Sequence, residues 1–181
     1  MTETQLIAAC KKGNRKAQRV LYERYAAKMF GVCRRYVHNE SDVEDTLLNA
    51  FYKVFKHIHT FEEKGSFEGW IRRIVVNESL MFLRKKKRVS TLYVEFSDTE
   101  VEVPTAAKAQ NDLQEADILK LLDDLPDGYR TIFNLYAIEG YKHREIAEML
   151  KISINTSKSQ LIKARKMLRD LLESNSEYRV A

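Results

Sequence analysis

Apolar positions recur at intervals of three and four along most of this chain, and the breaks in that rhythm divide it into helices. Leu6, Ile7 and Cys10 predict a helix over residues 2–13, ended by Gly13-Asn14, both of which tolerate a left-handed C-cap. Val20, Leu21, Tyr25, Met29, Val32, Cys33 and Tyr36 predict a second helix over 15–37. Ser41, with Glu44 three residues on, reads as a capping box. It opens a helix over 42–59 whose buried face carries Val43, Leu47, Ala50, Phe51, Val54, Phe55 and Ile58. Residues 60–67 read as a loop turned by Gly65. A fourth helix, over 67–87, runs through Trp70, Ile71, Ile74, Val75, Leu80, Met81 and Leu83 into the basic run 84–88. Over 89–111 the period vanishes among Thr, Ser, Glu and Asp, with Pro104 among them, as in a linker. Residues 91–96 are the one strand candidate. Pattern returns at Leu113, Ile118, Leu119, Leu122 and Leu125, stops before Pro126-Asp127-Gly128, and resumes over 129–138 with Ile132, Phe133 and Leu135 inward. The chain reads as all-α: two small helical domains, 1–88 and 112–175, joined by the linker 89–111 and followed by a tail, 176–181.

Residues 141–172 hold the strongest local signal. A short amphipathic helix with Ile146, Ala147 and Leu150 on one face is followed, after about three residues, by a longer one. The longer helix has Ile154, Leu161, Ala164, Leu168 and Leu171 along one stripe. Two helices across so short a turn form a helix-turn-helix. Ala147 suits the crossing, where only a small side chain permits close approach. Lys151 stands at the turn position that favours glycine, so a left-handed backbone there costs about 1 kcal/mol. The polar face of the second helix carries Asn155, Thr156, Lys158, Ser159, Gln160 and Lys163, groups able to donate to phosphates and base edges.

Charge sharpens this picture. The net charge is +5 and the pI about 9.1, but the distribution says more. Residues 1–40 carry nine bases and three acids, and 64–94 eight and two; residues 41–63 carry two bases and five acids, and 95–127 two and ten. Residues 142–169 carry eight bases and two acids. Three basic blocks thus alternate with acidic ones, which suits an anionic partner. Cys10 and Cys33 sit in apolar helical patterns and read as reduced core thiols of a cytoplasmic protein. No signal peptide or apolar run of membrane-spanning length is present. No Cys/His set has zinc spacing, and no Gly-rich phosphate loop occurs. Asp42, Glu44 and Asp45 are accounted for by a helix N-terminus. We therefore expect no enzyme, no cofactor and no metal.

The order of parts resembles a known family. The run 41–45 followed by 49–55 is similar to the core-polymerase-binding helix of bacterial sigma factors. Residues 65–78 with 83–87 resemble their helix for the −10 promoter element, and 125–169 resemble their −35-binding domain. Two domains, with nothing between them but a linker, resemble the extracytoplasmic-function (ECF) class. The resemblance implies a promoter-specificity subunit that binds core RNA polymerase, at its clamp and flap regions, and promoter DNA. It also leaves room for an anti-sigma partner. The free chain is expected to be a monomer without membrane insertion.

Site residues follow from the same resemblance. Asp42, Glu44, Asp45, Asn49 and Tyr52 would meet the polymerase clamp. Phe61, Ser66 and Phe67 belong to a loop similar to the one that captures a flipped −10 base, with Trp70 read as core. Arg73 and Asn77 lie one helical turn apart beside it, Asn77 able to pair with a base edge. Arg84, Lys85, Lys87 and Arg88 would hold phosphates. In the −35 domain Lys158 and Ser159 would read base edges, Ile162 would touch a thymine methyl, and Lys163 and Arg165 would hold phosphates. Arg144, Asn155, Thr156 and Gln160 complete the surface. The sequence departs from the family pattern at Asn155, Ser157 and Gln160, where Gly, Val and Arg are usual, which bears on the −35 preference. Two other readings remain open on the residues alone: a stand-alone helix-turn-helix regulator, which would be expected to dimerise on two half-sites, and a hydrolase built on Asp42, Glu44 and Asp45.

Overall fold

A computed structural model describes the backbone of residues 1–94 and 115–177, and the side chains of residues 1–87 and 119–173. These residues form two compact units. Every regular element among them is helical. Most of the expected linker, residues 95–111, and the tail from 178 lie outside the described residues.

The first unit is built from four helices: α1 (Glu3–Lys11), α2 (Arg15–Arg34), α3 (Glu40–His57) and α4 (Phe67–Val94), with a 3-10 turn Ile58–Thr60 after α3. Each start has a chemical cause. The Thr2 side chain and Gln5 close a capping box on α1, and Asn14 Oδ1 accepts from the Ala17 N–H on α2. At α3 the cap is Asn39, whose Oδ1 accepts from the Asp42 N–H at 3.2 Å. The expected Ser41 cap is thus corrected: asparagine is at least as good a cap, and it leaves Ser41 and Asp42 inside the first turn. Helix α4 continues to Val94, so residues 89–94 are helical, not linker, and the strand candidate is overturned at least through residue 94.

The four helices share one core. Leu6, Leu21, Met29, Cys33, Val43, Ala50, Phe51, Val54, Ile71, Val75 and Leu80 are buried in it. Val20 and Met81, expected inward, are 40% and 38% exposed; each lies at the margin of its helix's apolar stripe. Burial raises the Cys10 thiol and pushes Cys33 up to about 11, so neither is a ready thiolate. Across the core surface Lys53 Nζ meets Glu78 Oε1 at 2.5 Å and pins α3 to α4.

The second unit comprises α5 (Glu115–Asp123), α6 (Asp127–Phe133), α7 (His143–Leu150) and α8 (Ile154–Glu177). The short helix expected over 129–138 is in two parts: α6 ends at Phe133 and a π turn, Asn134–Ile138, follows. Arg130 on α6 is buried, with its guanidinium 3.2 Å from Asp123 and 3.1 Å from Asp127. It ties the end of α5 to the start of α6 and is the largest charged anchor of this unit; the sequence pattern had not singled it out. Helices α7 and α8 close through Ile146, Ala147, Leu161 and Ala164, all buried. Lys151, between them, adopts φ 56°, ψ 47°, the left-handed turn foreseen for it.

Candidate nucleic-acid interface

In the second unit the exposed face of α8 is set by what the helix must bury. Ser153 starts the helix, its hydroxyl oxygen accepting from the Thr156 N–H at 2.9 Å. Leu161 and Ala164 turn inward. Ile154, expected on the apolar stripe, is the first residue of the helix and is 43% exposed, whereas Ser157 one turn on is fully buried. The opposite face leaves Asn155, Lys158, Ser159, Ile162, Lys163 and Arg165 exposed together. Ile162 is 68% exposed, an isolated apolar side chain amid polar ones. The Ser159 hydroxyl donates to the Thr156 carbonyl at 3.1 Å, so toward a partner it is an acceptor. Thr156 shares the N-terminal turn with Ser153, hydroxyl to hydroxyl at 2.8 Å. Gln160 points another way: its Oε1 would lie 3.2 Å from a Cβ placed on Gly128, so it packs toward α6 rather than with the exposed set. Arg144 lies exposed on α7, its guanidinium 3.6 Å from Glu148.

A polar link supports this face from beneath. His143 Nδ1 lies 2.9 Å from Ser157 Oγ, and its ring stacks on Tyr136 at 4.5 Å. The Arg165 guanidinium lies over the same tyrosine ring at 5.7 Å. Partial burial, then the cations Lys158 and Arg165, hold the His143 imidazole below its ordinary value. The sequence had shown His143 only as a lone histidine; no spacing rule connects it with Ser157 fourteen residues away.

In the first unit, residues 61–66 form a loop over an aromatic floor. Phe61, Phe67 and Trp70 are grouped with centroids 5.0–5.7 Å apart. Phe61 and Phe67 are buried, and Tyr25 packs edge-on against Phe67. Their rings therefore serve the core, while half-exposed Trp70 and the loop residues 62–66 meet solvent. Trp70, read as core, is the ring of the three nearest the surface. Ser66 caps α4: its Oγ accepts from the Gly69 N–H at 3.3 Å, leaving its own proton to donate. Glu63 holds φ 59° and Gly65 φ 104°, two left-handed residues that fold the loop sharply. Lys11 from α1 donates to the Phe61 carbonyl at 3.0 Å and lies 3.9 Å from Glu63. Beyond the loop, Arg73 and Asn77 are exposed one turn apart on α4, followed by exposed Arg84, Lys85 and Lys87. The side chain of Arg88 lies outside the described residues.

On α3 the outward face is acidic and apolar at once. Glu44, Asp45, Leu48, Asn49 and Tyr52 are exposed and Asp42 is half-buried. Asn49 donates to the Asp45 carbonyl at 2.9 Å, and Lys56 Nζ lies 6.0 Å from the centre of the Tyr52 ring. Leu48, 58% exposed, borders a cleft of about 350 Å³ lined also by Tyr22, Ala26, Ala27, Phe30, Glu44 and Leu47. Leu48 lies off the buried stripe of α3, one turn after Glu44 and Asp45, and that was the available signal for it.

Comparison with known proteins gives the following. The family model Sigma-70 region 2 matches residues 21–89, and Sigma-70, region 4 matches residues 115–168. The ECF RNA polymerase sigma factor SigW of Bacillus subtilis (strain 168) is 30% identical over 177 residues, covering 92% of this chain and 94% of SigW. The ECF RNA polymerase sigma-E factor of Haemophilus influenzae is 25% identical over 183 residues, 96% of each chain. Among solved structures, the sigma factor RpoE of Bartonella quintana, in complex with the anti-sigma factor NepR, aligns with a TM-score of 0.55 at 22% identity, covering 86% of this chain and 96% of that one.

Proposed function

Because this chain belongs to the sigma-70 family, in its ECF class, we propose a specific division of labour for a promoter-recognising subunit of bacterial RNA polymerase. The unit of α1–α4 binds core polymerase and the −10 element, and that of α5–α8 binds the −35 element. The observation that carries this reading is the exposed face of α8. Asn155, Lys158, Ser159, Ile162 and Lys163 stand clear of the core together, the arrangement a helix needs to enter a major groove. Lys158, Ser159 and Ile162 read bases; Lys163 and Arg165 hold phosphate.

In the first unit, Glu44, Asp45, Leu48, Asn49 and Tyr52 form the surface for the polymerase clamp. Its carboxylates select a basic partner, and the bare leucine contributes the apolar contact. The loop 61–66 receives an unstacked base. Unstacking costs a few kcal/mol, which stacking and edge hydrogen bonds must offset. The Ser66 hydroxyl and loop backbone supply the bonds, and the half-exposed Trp70 lies nearest for stacking, since the Phe61 and Phe67 rings are committed to the core. Arg73 and Asn77 extend the site, and Arg84, Lys85, Lys87 and Arg88 follow the backbone. Such a subunit works in the cytoplasm; among the described residues no helix is long and apolar enough to cross a membrane.

The test is capture of core polymerase by the full chain, followed by run-off transcription over a promoter library. A stable complex with transcription from a small, related promoter set is expected. Sequence-specific DNA binding by the chain alone, with no effect of core polymerase, would overturn the reading in favour of a stand-alone regulator.

A further inference from the structure

One basic block is left over once these roles are assigned. Between Lys11 and Arg19 the chain places five cations, Lys11, Lys12, Arg15, Lys16 and Arg19, and no acid. The match to region 2 begins only at residue 21. Arg19 is engaged with Glu23 at 2.8 Å, and Lys11 with the loop at Phe61 and Glu63. Lys12, Arg15 and Lys16 are exposed where α1 meets α2, and form no ion pair among the described residues. We propose that Lys12, Arg15 and Lys16 hold backbone phosphates of the opened promoter strand as it leaves the loop 61–66. The proposal rests on the reading that this loop receives a −10 base.

Three observations favour a nucleic-acid strand over other anions. The first is position: the Lys11 contact to the Phe61 carbonyl fixes the end of α1 directly against the loop, so a strand leaving the loop on that side meets this corner first. The second is charge. The loop's own carboxylates are each matched by a lysine, Glu63 by Lys11 and Glu62 by Lys64 at 2.8 Å, so the net field beside the loop is that of the unmatched corner. The third is spread. Three exposed cations shared between the end of α1 and the start of α2 can follow a chain that carries one charge per nucleotide.

The experiment uses holoenzyme and three single-stranded oligonucleotides: a minimal −10 element, and the same element extended by about six nucleotides on its 5′ or its 3′ side. Wild type should bind one extended oligonucleotide more tightly than the minimal one, with a steeper salt dependence. The triple variant Lys12→Gln/Arg15→Gln/Lys16→Gln should bind the minimal element as wild type does. It should lose the gain from extension, and its salt slope on the extended strand should fall by about 2, at roughly 0.7 per phosphate. The charge-preserving variant Lys12→Arg/Lys16→Arg should keep the gain. Equal binding of the extended strand by wild type and the triple variant overturns the proposal. So does weakened binding of core polymerase by the triple variant, which would assign the corner to an acidic protein surface. Single-base substitutions in the minimal oligonucleotide report separately on the loop. If wild type shows no base discrimination there, the base-capture reading fails, whatever the corner does.

Discussion

The His143 imidazole Nδ1 lies 2.9 Å from the hydroxyl of Ser157, so the helix-turn-helix is joined by a polar contact across its two helices. Ser157 is fully buried, and an unpartnered hydroxyl there would cost about 1–3 kcal/mol. His143 supplies the partner, and Tyr136 stacks on the histidine's ring.

A pH dependence follows. Burial first, and Lys158 and Arg165 next, hold His143 below its ordinary value. The unfolded chain therefore takes up the proton more readily than the folded one, and stability falls as pH drops from about 6.5 through the lower folded value. Urea denaturation of the α5–α8 unit, followed in the full chain at pH 7.5 and 5.5, should show a loss at the lower pH. In His143→Phe that loss should shrink; an unchanged pH dependence would remove His143 as its source.

Lys151 is left-handed at φ 56°. Lys151→Gly relieves a strain of about 1 kcal/mol and adds chain entropy to the unfolded state, for a net gain below about 1 kcal/mol. The midpoint of thermal unfolding of the second unit should rise by a few degrees.

Arg130 is buried between Asp123 and Asp127. Arg130→Ala removes the joint between α5 and α6 and leaves a cavity. The two carboxylates can partly rehydrate, so the cost is put at about 2–3 kcal/mol, below that of a fully buried pair. Chemical denaturation should show this in the second unit while the first unfolds as before.

Asp45 is exposed on α3 and takes no part in its core. Asp45→Lys should weaken core polymerase binding about tenfold by opposing a basic partner, with an unchanged melting temperature. Unchanged affinity in a folded variant would reject the clamp assignment.

Base reading and phosphate holding separate by experiment. Lys163→Ala should weaken holoenzyme binding at every responsive promoter and reduce the salt slope by about 0.9. Asn77→Ala should lose about 1–3 kcal/mol of discrimination at one position of the −10 element. Affinities across single-base promoter variants at several salt concentrations distinguish the two. A uniform loss for Asn77→Ala would reverse its role.

The sequence by itself determined most of the helical elements and the helix-turn-helix, because those follow from periods of three and four, and the turn position of Lys151 in that motif marked it as left-handed against its own backbone preference; it did not show that α4 continues to Val94. Its ordered motifs also pointed to the family. What it could not determine were relationships between residues far apart in the chain. Ser157 looked like a flaw in an apolar stripe until α7 brought His143 to it. Phe61 and Phe67 looked available to a base until packing turned their rings on each other and on Trp70. Gln160 shared a helix face with base-reading candidates until α6 drew it aside. Arg130 was one cation among many until two helix ends closed around it. Periodicity reports which face of a helix is apolar; only tertiary packing decides which side chains that face meets, and those meetings set burial, charge and availability to a partner.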